Sequence, residues 1–200
     1  ELAASGAAAA HVVLEPEGRN TAPAIALAAA YCRDKLAADE TEVLFVTPCD
    51  HVIKPVDVFA AGVLDAVNLA SDGSIVTFGV KPTAPETGYG YIQAGEAAGG
   101  AFAVQSFREK PDRQTAEEYL AAGNYYWNSG MFAFTMGRFL QELAAQQPEI
   151  AALTSAPVET VLGEFGRMPD ISIDYGIMEK ADRVRVIPLA AYWNDIGSWD

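Results

Sequence analysis

Two short apolar runs, Val43-Leu44-Phe45-Val46-Thr47 and Ile75-Val76-Thr77-Phe78-Gly79-Val80, enclose a stretch from Phe59 to Leu69 whose apolar residues recur at helical spacing. Strand, helix, strand at short connection lengths is the grammar of a βαβ unit. It predicts an α/β fold with a mixed, mainly parallel central sheet and helices on both faces. The pattern begins earlier, with Val12-Val13-Leu14 read as a strand and an alanine-rich helix opening at Asn20 or Thr21, residue types that suit an N-cap. It changes after Pro82. Gly88 to Gln93 and Phe102 to Phe107 alternate with period 2 and predict an antiparallel pair; Asp112 caps a helix that runs to Leu120 and stops at Gly123; Trp127 to Phe134 returns as strand. A helix over Phe139 to Leu143 ends before Pro148, another begins near Asp174, and Val184 to Pro188 is a late strand.

Composition limits what such a fold could do. With 200 residues, 50% of them apolar, the chain can bury one substantial core. It has no initiator Met and stops at Gly197-Ser198-Trp199-Asp200 inside a continuing pattern, so residues 1–200 read as one domain incomplete at both ends. A net charge of −14 argues against nucleic acid as a partner, because counterion release needs clustered Lys and Arg. An anionic substrate would need a divalent cation or a few placed bases. No apolar run approaches the roughly 18 residues that span a bilayer, and no charged-then-apolar leader is read at the start of these 200 residues. The expectation is a soluble cytoplasmic protein with no membrane partner. Cys32 and Cys49 lack the spacing of a zinc site and the density of a disulfide scaffold, so both read as reduced.

In an open α/β sheet, ligands bind beyond the carboxyl ends of the parallel strands. Glu15-Pro16-Glu17-Gly18-Arg19-Asn20-Thr21-Ala22-Pro23 sits at a helix N-terminus, where backbone N–H groups converge and Arg19 adds a planar cationic fork; read alone, it is equally a plain capped loop. Thr47-Pro48-Cys49-Asp50-His51 follows a strand, and Asp50 there could hold Mg²⁺ or merely cap a turn. His51, with no partners at metal spacing, reads as a packed or hydrogen-bonded histidine. Pro85-Glu86-Thr87-Gly88-Tyr89-Gly90-Tyr91-Ile92 joins glycines that permit close backbone approach to aromatic faces that suit sugar rings. Phe107-Arg108-Glu109-Lys110-Pro111 sets an acid beside a base at a strand end. Tyr126-Trp127-Asn128-Ser129-Gly130-Met131 places an amide among aromatics, and Asp195 is a second isolated carboxylate in Trp193-Asn194-Asp195-Ile196-Gly197-Ser198-Trp199. The segments at Asp50, at residues 88–91 and at Asn128 each have a structural reading of equal weight.

Taken in order, R-N-T-A-P, T-P-C-D-H, P-E-T-G-Y-G-Y-I, E-K-P, W-N-S-G-M-F, S-I-D-Y-G-I-M-E-K and W-N-D-I-G-S-W resemble the mannose-1-phosphate guanylyltransferase family of bacterial type across residues 11 to 200. That resemblance implies a Rossmann-like nucleotidyltransferase domain joining mannose 1-phosphate to GTP, with GDP-mannose and pyrophosphate as products and Mg²⁺ as cofactor. It implies that Glu15, Arg19, Asn20 and Thr21 meet the guanine nucleotide together with Asp50. Asp50 and Asp195 would hold the metal, and Gly90, Tyr91, Glu109, Lys110, Asn128 and Asp174 would meet the sugar phosphate. Lys110, Asp50 and Asp195 are the candidates for catalysis, Lys110 by neutralising the attacking phosphate.

Two departures from the family pattern stand out. Cys49 replaces a small alanine, and soft sulfur has little affinity for Mg²⁺. The family's N-terminal glycine-rich loop has no counterpart in these 200 residues, so this piece alone is expected to be inactive. A homo-oligomer, and continuation into a β-helix or a mannose-6-phosphate isomerase domain, stay open. The alternatives are a nucleotidyltransferase for glucose 1-phosphate with dTTP, UTP or ATP, a non-catalytic sugar-nucleotide-binding relative that regulates a partner, and a dinucleotide-dependent oxidoreductase supported only by the βαβ pattern.

Overall fold

The structure, a computed structural model, describes residues 11–196. In chain order these form α1 (Thr21–Leu36), β1 (Val43–Val46), β2 (His51–Lys54), α2 (Val56–Ser71), β3 (Ile75–Val80), β4 (Tyr91–Ala98), β5 (Ala101–Arg108), α3 (Arg113–Ala122), β6 (Tyr125–Thr135), α4 (Met136–Gln146), α5 (Pro148–Thr154), α6 (Val158–Gly163), β7 (Val184–Pro188) and β8 (Tyr192–Asp195). A 3₁₀ turn, Phe165–Arg167, and a π turn, Asp174–Met178, lie between α6 and β7. The opening ten residues, expected as the tail of a helix or a loop, and Gly197 to Asp200 lie outside the described residues.

Local signals act as the residues predict. The Asn20 side chain accepts from the Thr21 N–H at 2.9 Å to start α1, and Asp112 accepts from Thr115 N–H at 2.8 Å to start α3. Gly123, at φ 75, ends α3 in the left-handed conformation that a residue without Cβ adopts freely. Helices cover both faces of the sheet because neighbouring strand residues point opposite ways. Ile75, Phe132, Phe134, Val184 and Val186 face α1, α4, α5 and α6, whereas Val76, Phe78, Met131, Ala133 and Ile187 face α2. Phe78 is fully buried and meets Phe45 edge-on with centroids 6.1 Å apart. Removing such a ring costs about 3–5 kcal/mol, against about 0–1 kcal/mol for an exposed ion pair such as Arg113–Glu117. The two apolar layers therefore hold the fold.

Three expectations are corrected. The six-stranded sheet has the order β1-β6-β3-β7-β5-β4, and β3–β7 is its one parallel pair of neighbours among the described residues. It is mixed, as expected, but not mainly parallel. β1 and β3 do share a direction, yet β6 is inserted between them and runs antiparallel to both, pairings across 47 to 92 residues that periodicity does not encode. The run Val12 to Leu14 forms no strand; Val12 and Leu14 are exposed, and only Val13 packs against the core. The helix near Asp174 is a single π turn. The two-stranded ribbon β2–β8 and the helices α5 and α6 were not foreseen.

Candidate functional site

A cleft of about 170 Å³ opens past the end of β1, against the start of β4, the end of β5 and the middle of β6. Its floor is set by an irregularity in β6. Between the pairs Thr77–Phe132 and Gly79–Asn128, β6 takes four steps while β3 takes two, and Gly130 at φ 71 absorbs the surplus. Asn128 thereby stands at the bulge, with partners on every side. Its Oδ1 accepts from the buried Thr77 hydroxyl at 3.1 Å and from Gly130 N–H at 3.2 Å, its Nδ2 donates to Asp174 Oδ1 at 2.9 Å, and its backbone N–H donates to Gly90 O at 2.8 Å. Because Gly130 N–H can only donate, the amide orientation is determined.

Around this floor stand two partly buried carboxyls and one ammonium. Burial pushes Asp174 above the ordinary carboxylate range, and burial followed by repulsion from Asp174 does the same to Glu109. Lys110 Nζ lies 3.5 Å from Glu109 Oε1 and keeps its own side chain largely exposed. Gly90 explains how the Glu109 carboxylate fits, since a Cβ at position 90 would overlap Glu109 Oε2 and press on Asn128 Cβ at 3.3 Å.

The opposite wall is aromatic. Tyr89 packs against Trp127 and Trp193 with centroids 5.2 and 5.5 Å away, and its hydroxyl donates to Asp195 Oδ1 at 2.6 Å. Burial, and then that hydrogen bond, raise the phenol well above its ordinary pKa, so Tyr89 stays a donor. Trp193 Nε1–H donates to His51 Nδ1 at 3.2 Å. Burial holds the imidazole below its ordinary pKa despite Asp50 and Asp195 nearby, so His51 is neutral, packed and hydrogen-bonded, as the sequence suggested.

The nucleotidyl transferase family profile matches residues 4–200. The chain belongs to that family. Among relatives of this nucleotidyl transferase chain, the xanthan biosynthesis protein XanB of Xanthomonas campestris is 50% identical over 198 residues, covering 94% of this chain and 42% of XanB. A mannose-1-phosphate guanylyltransferase of Salmonella montevideo is 44% identical over 205 residues, with the same shares covered. The crystal structure of mannose-1-phosphate geranyltransferase from Thermus thermophilus superposes with a TM-score of 0.84 at 37% identity, covering 94% of this chain and 55% of that one. These relatives bear out the resemblance read from the motifs. The chain spans under half the length of the two curated relatives.

Within this nucleotidyl transferase fold, Gly90, Glu109, Lys110, Asn128, Asp174 and Asp195 line one cleft although they come from five separate segments. Tyr91, one residue on from Gly90, points the other way; it is fully buried, its hydroxyl on Glu86 O at 2.9 Å. Asp50 stands beside the cleft with its side chain 58% exposed and its Oδ1 3.9 Å from His51 Nε2. The remaining expected nucleotide residues lie apart from it. Arg19 donates to Gly166 O and pairs with Glu17 at 3.3 Å, Asn20 caps α1, and Glu15 is exposed. The Thr21 hydroxyl accepts from Ile173 N–H at 2.8 Å and borders an apolar hollow of about 280 Å³ that reaches the cleft at Pro48, Gly130 and Asp174. Sequence reasoning passed over Thr77, Trp193 and Glu179, whose carboxylate accepts the Glu109 N–H. Polar Thr77 within an apolar strand was the one available signal.

No helix among the described residues is long and apolar enough to cross a membrane, and neither Cys32 nor Cys49 is in a disulfide.

Proposed function

We propose that the protein to which this chain belongs joins mannose 1-phosphate to GTP, forming GDP-mannose and pyrophosphate, in the cytoplasm and with Mg²⁺. The observation that carries this reading is the gathering of Glu109, Lys110, Asn128 and Asp174 around one small cleft beside Asp195. Two carboxylates and an amide suit sugar hydroxyls, and an ammonium suits a phosphate. The names of the relatives agree with it. Free cysteines agree with a reducing compartment.

The residues present fit a hard divalent cation. Asp50 and Asp195 come from the adjoining ends of the β2–β8 ribbon, with the Ile196 N–H on Asp50 O at 2.9 Å, and both carboxylates act on the His51 ring. Asp195 gives one oxygen to Tyr89 and keeps another for a ligand. No group of three or more His, Cys, Asp or Glu able to hold a metal occurs among the described residues. That suits Mg²⁺, which is commonly held by one or two carboxylates and completes its shell with water and phosphate. When bound, the ion neutralises charge on the nucleotide phosphates.

The chemistry is an in-line attack by a sugar-phosphate oxygen on the α-phosphorus of GTP, with pyrophosphate leaving. Lys110 offsets the charge of the attacking phosphate; Glu109, Asp174 and Asn128 orient the sugar; the segment Glu15 to Thr21 lies toward the nucleotide. Positioning supplies much of the rate enhancement.

Competition among nucleotides tests the reading. The full-length protein, given mannose 1-phosphate, is expected to prefer GTP over ATP and UTP by about 10²-fold or more in kcat/KM, because a site built to hydrogen-bond one base leaves its polar groups unpaired with another. Asn20→Ala should narrow the preference, and so should Asn20→Asp, which keeps the helix cap but loses the amide donor. Equal use of ATP and GTP, or a preference for dTTP with glucose 1-phosphate, would move the protein to a neighbouring sugar nucleotidyltransferase.

Gly90→Ala is a second test, of the sugar side. Its Cβ displaces Glu109, and a 1 Å misplacement at a reacting centre costs about 10²-fold. A fall of that order in kcat/KM for mannose 1-phosphate is expected, with KM for GTP little changed. Unaltered kinetics would remove Glu109 from the sugar site.

A further inference from the structure

β5 ends at Arg108, and the next two residues carry the carboxylate and the ammonium of the sugar-phosphate site. Lys110 stands at φ 44, in the left-handed region, directly before Pro111, whose ring favours extended backbone in the residue ahead of it. A residue other than glycine keeps such a backbone only where its surroundings fix it. On one side Pro111 is buried. On the other, the Glu109 N–H donates to Glu179 Oε1 at 3.1 Å.

Glu179 reaches that amide because of the π turn. Its own N–H donates to Asp174 O at 3.0 Å, an i→i+5 closure. Residues five apart diverge around an α-helix, whereas the wider π turn returns them to the same side. One turn thus presents Asp174 to Asn128 on β6 and Glu179 to the amide at the end of β5. Glu179 itself does not line the cleft.

We infer that Glu179 is a positioning residue of the sugar-phosphate site, holding the Glu109–Lys110 backbone so that the Lys110 ammonium and the Glu109 carboxylate point into the cleft. The inference rests on the proposed reading of that site. Its hold on the backbone runs through an accepted hydrogen bond, which the amide of Glu179→Gln can replace and Glu179→Ala cannot; its charge adds only a minor upward push on Glu109 and Asp174.

Three measurements on the full-length protein test this. Glu179→Ala should raise KM for mannose 1-phosphate about tenfold, what one hydrogen bond to a charged group is worth, leaving KM for GTP unchanged, while Glu179→Gln stays within about threefold of wild type. In a Lys110→Ala background Glu179→Ala should add less than it costs in the wild type, since the part of its effect that runs through Lys110 is already gone and only the part through Glu109 remains. Deuterium exchange over residues 107–111, read without substrate, should quicken in Glu179→Ala and not in Glu179→Gln. Equal damage from Ala and Gln, a full additive loss in the Lys110→Ala background, or unchanged exchange in Glu179→Ala would each overturn the inference. Wild-type protein that makes no GDP-mannose would overturn the substrate reading instead, and the exchange result would still decide the role of Glu179.

Discussion

Asp195→Asn in the full-length protein is expected to cut turnover at saturating GTP by on the order of 10²-fold or more, because removing one preorganised charge-stabilising group typically costs a few kcal/mol of transition-state stabilisation. The change isolates charge. Asparagine keeps an oxygen that can accept the Tyr89 hydroxyl, now 2.6 Å from Asp195 Oδ1, so the wall made by Tyr89, Trp127 and Trp193 should stand. Asp50→Asn is expected to do the same from the bend just before β2, where its exposed side chain makes no hydrogen bond among the described residues. Rates measured across a Mg²⁺ series decide the matter: both variants should need more metal for the turnover they retain. Wild-type rates with an unchanged Mg²⁺ dependence in both would rule out a shared two-carboxylate site.

Asp174→Asn should trade activity for stability. Burial holds the Asp174 carboxyl above its ordinary value, although the Asn128 amide opposes the shift; Glu109 is raised as well, by burial and then by Asp174. A raised carboxyl means that the folded protein binds the proton more tightly than the unfolded chain. Stability is then greatest below the unfolded carboxylate pKa and is lost as pH rises through the folded one. At pH 7, above the unfolded carboxylate pKa, the wild type has given up at least part of that contribution, so the neutral variant should melt higher. About 1 kcal/mol moves the midpoint by about 2–4 °C in a domain of this size, and a rise of that order is expected at pH 7, shrinking toward nothing near pH 4. Asparagine can still accept from Asn128, so the floor of the cleft persists. Over the same range kcat/KM for mannose 1-phosphate should fall about 10- to 10²-fold, the worth of a hydrogen bond to a charged group. Melting curves at several pH values would contradict this if the variant melted lower at pH 7 or its advantage grew toward acid.

The two predictions draw on residues of different legibility. Asp195 and Asp50 could be named from short motifs, because an isolated carboxylate in a polar loop after a strand is a local pattern. That Asp195 is oriented by Tyr89 depends on a contact across 106 residues. Asp174 could be named by resemblance; its raised pKa could not, since desolvation depends on what the rest of the chain packs over it. Glu179 stood in the same motif and drew no notice, because the π turn that aims it is invisible to a search for helical or alternating spacing.

The sequence by itself determined the local conformations and the faces that must be buried. Helical spacing in α2, Asp112 and Gly123 at the ends of α3, and Asn20 at the start of α1 are all decided by interactions within a few residues of each other. Only the tertiary structure decided which strands are neighbours and which polar groups meet. β6 enters between β1 and β3 and makes the sheet mostly antiparallel, its bulge places Asn128 against Thr77 and Asp174, and β8 returns to pair with β2 and bring Asp195 beside Asp50. Those choices are settled by how separate apolar faces share one core and how buried donors and acceptors are satisfied across long stretches of chain. Such matching is a property of the assembled fold, with no signature in any one segment.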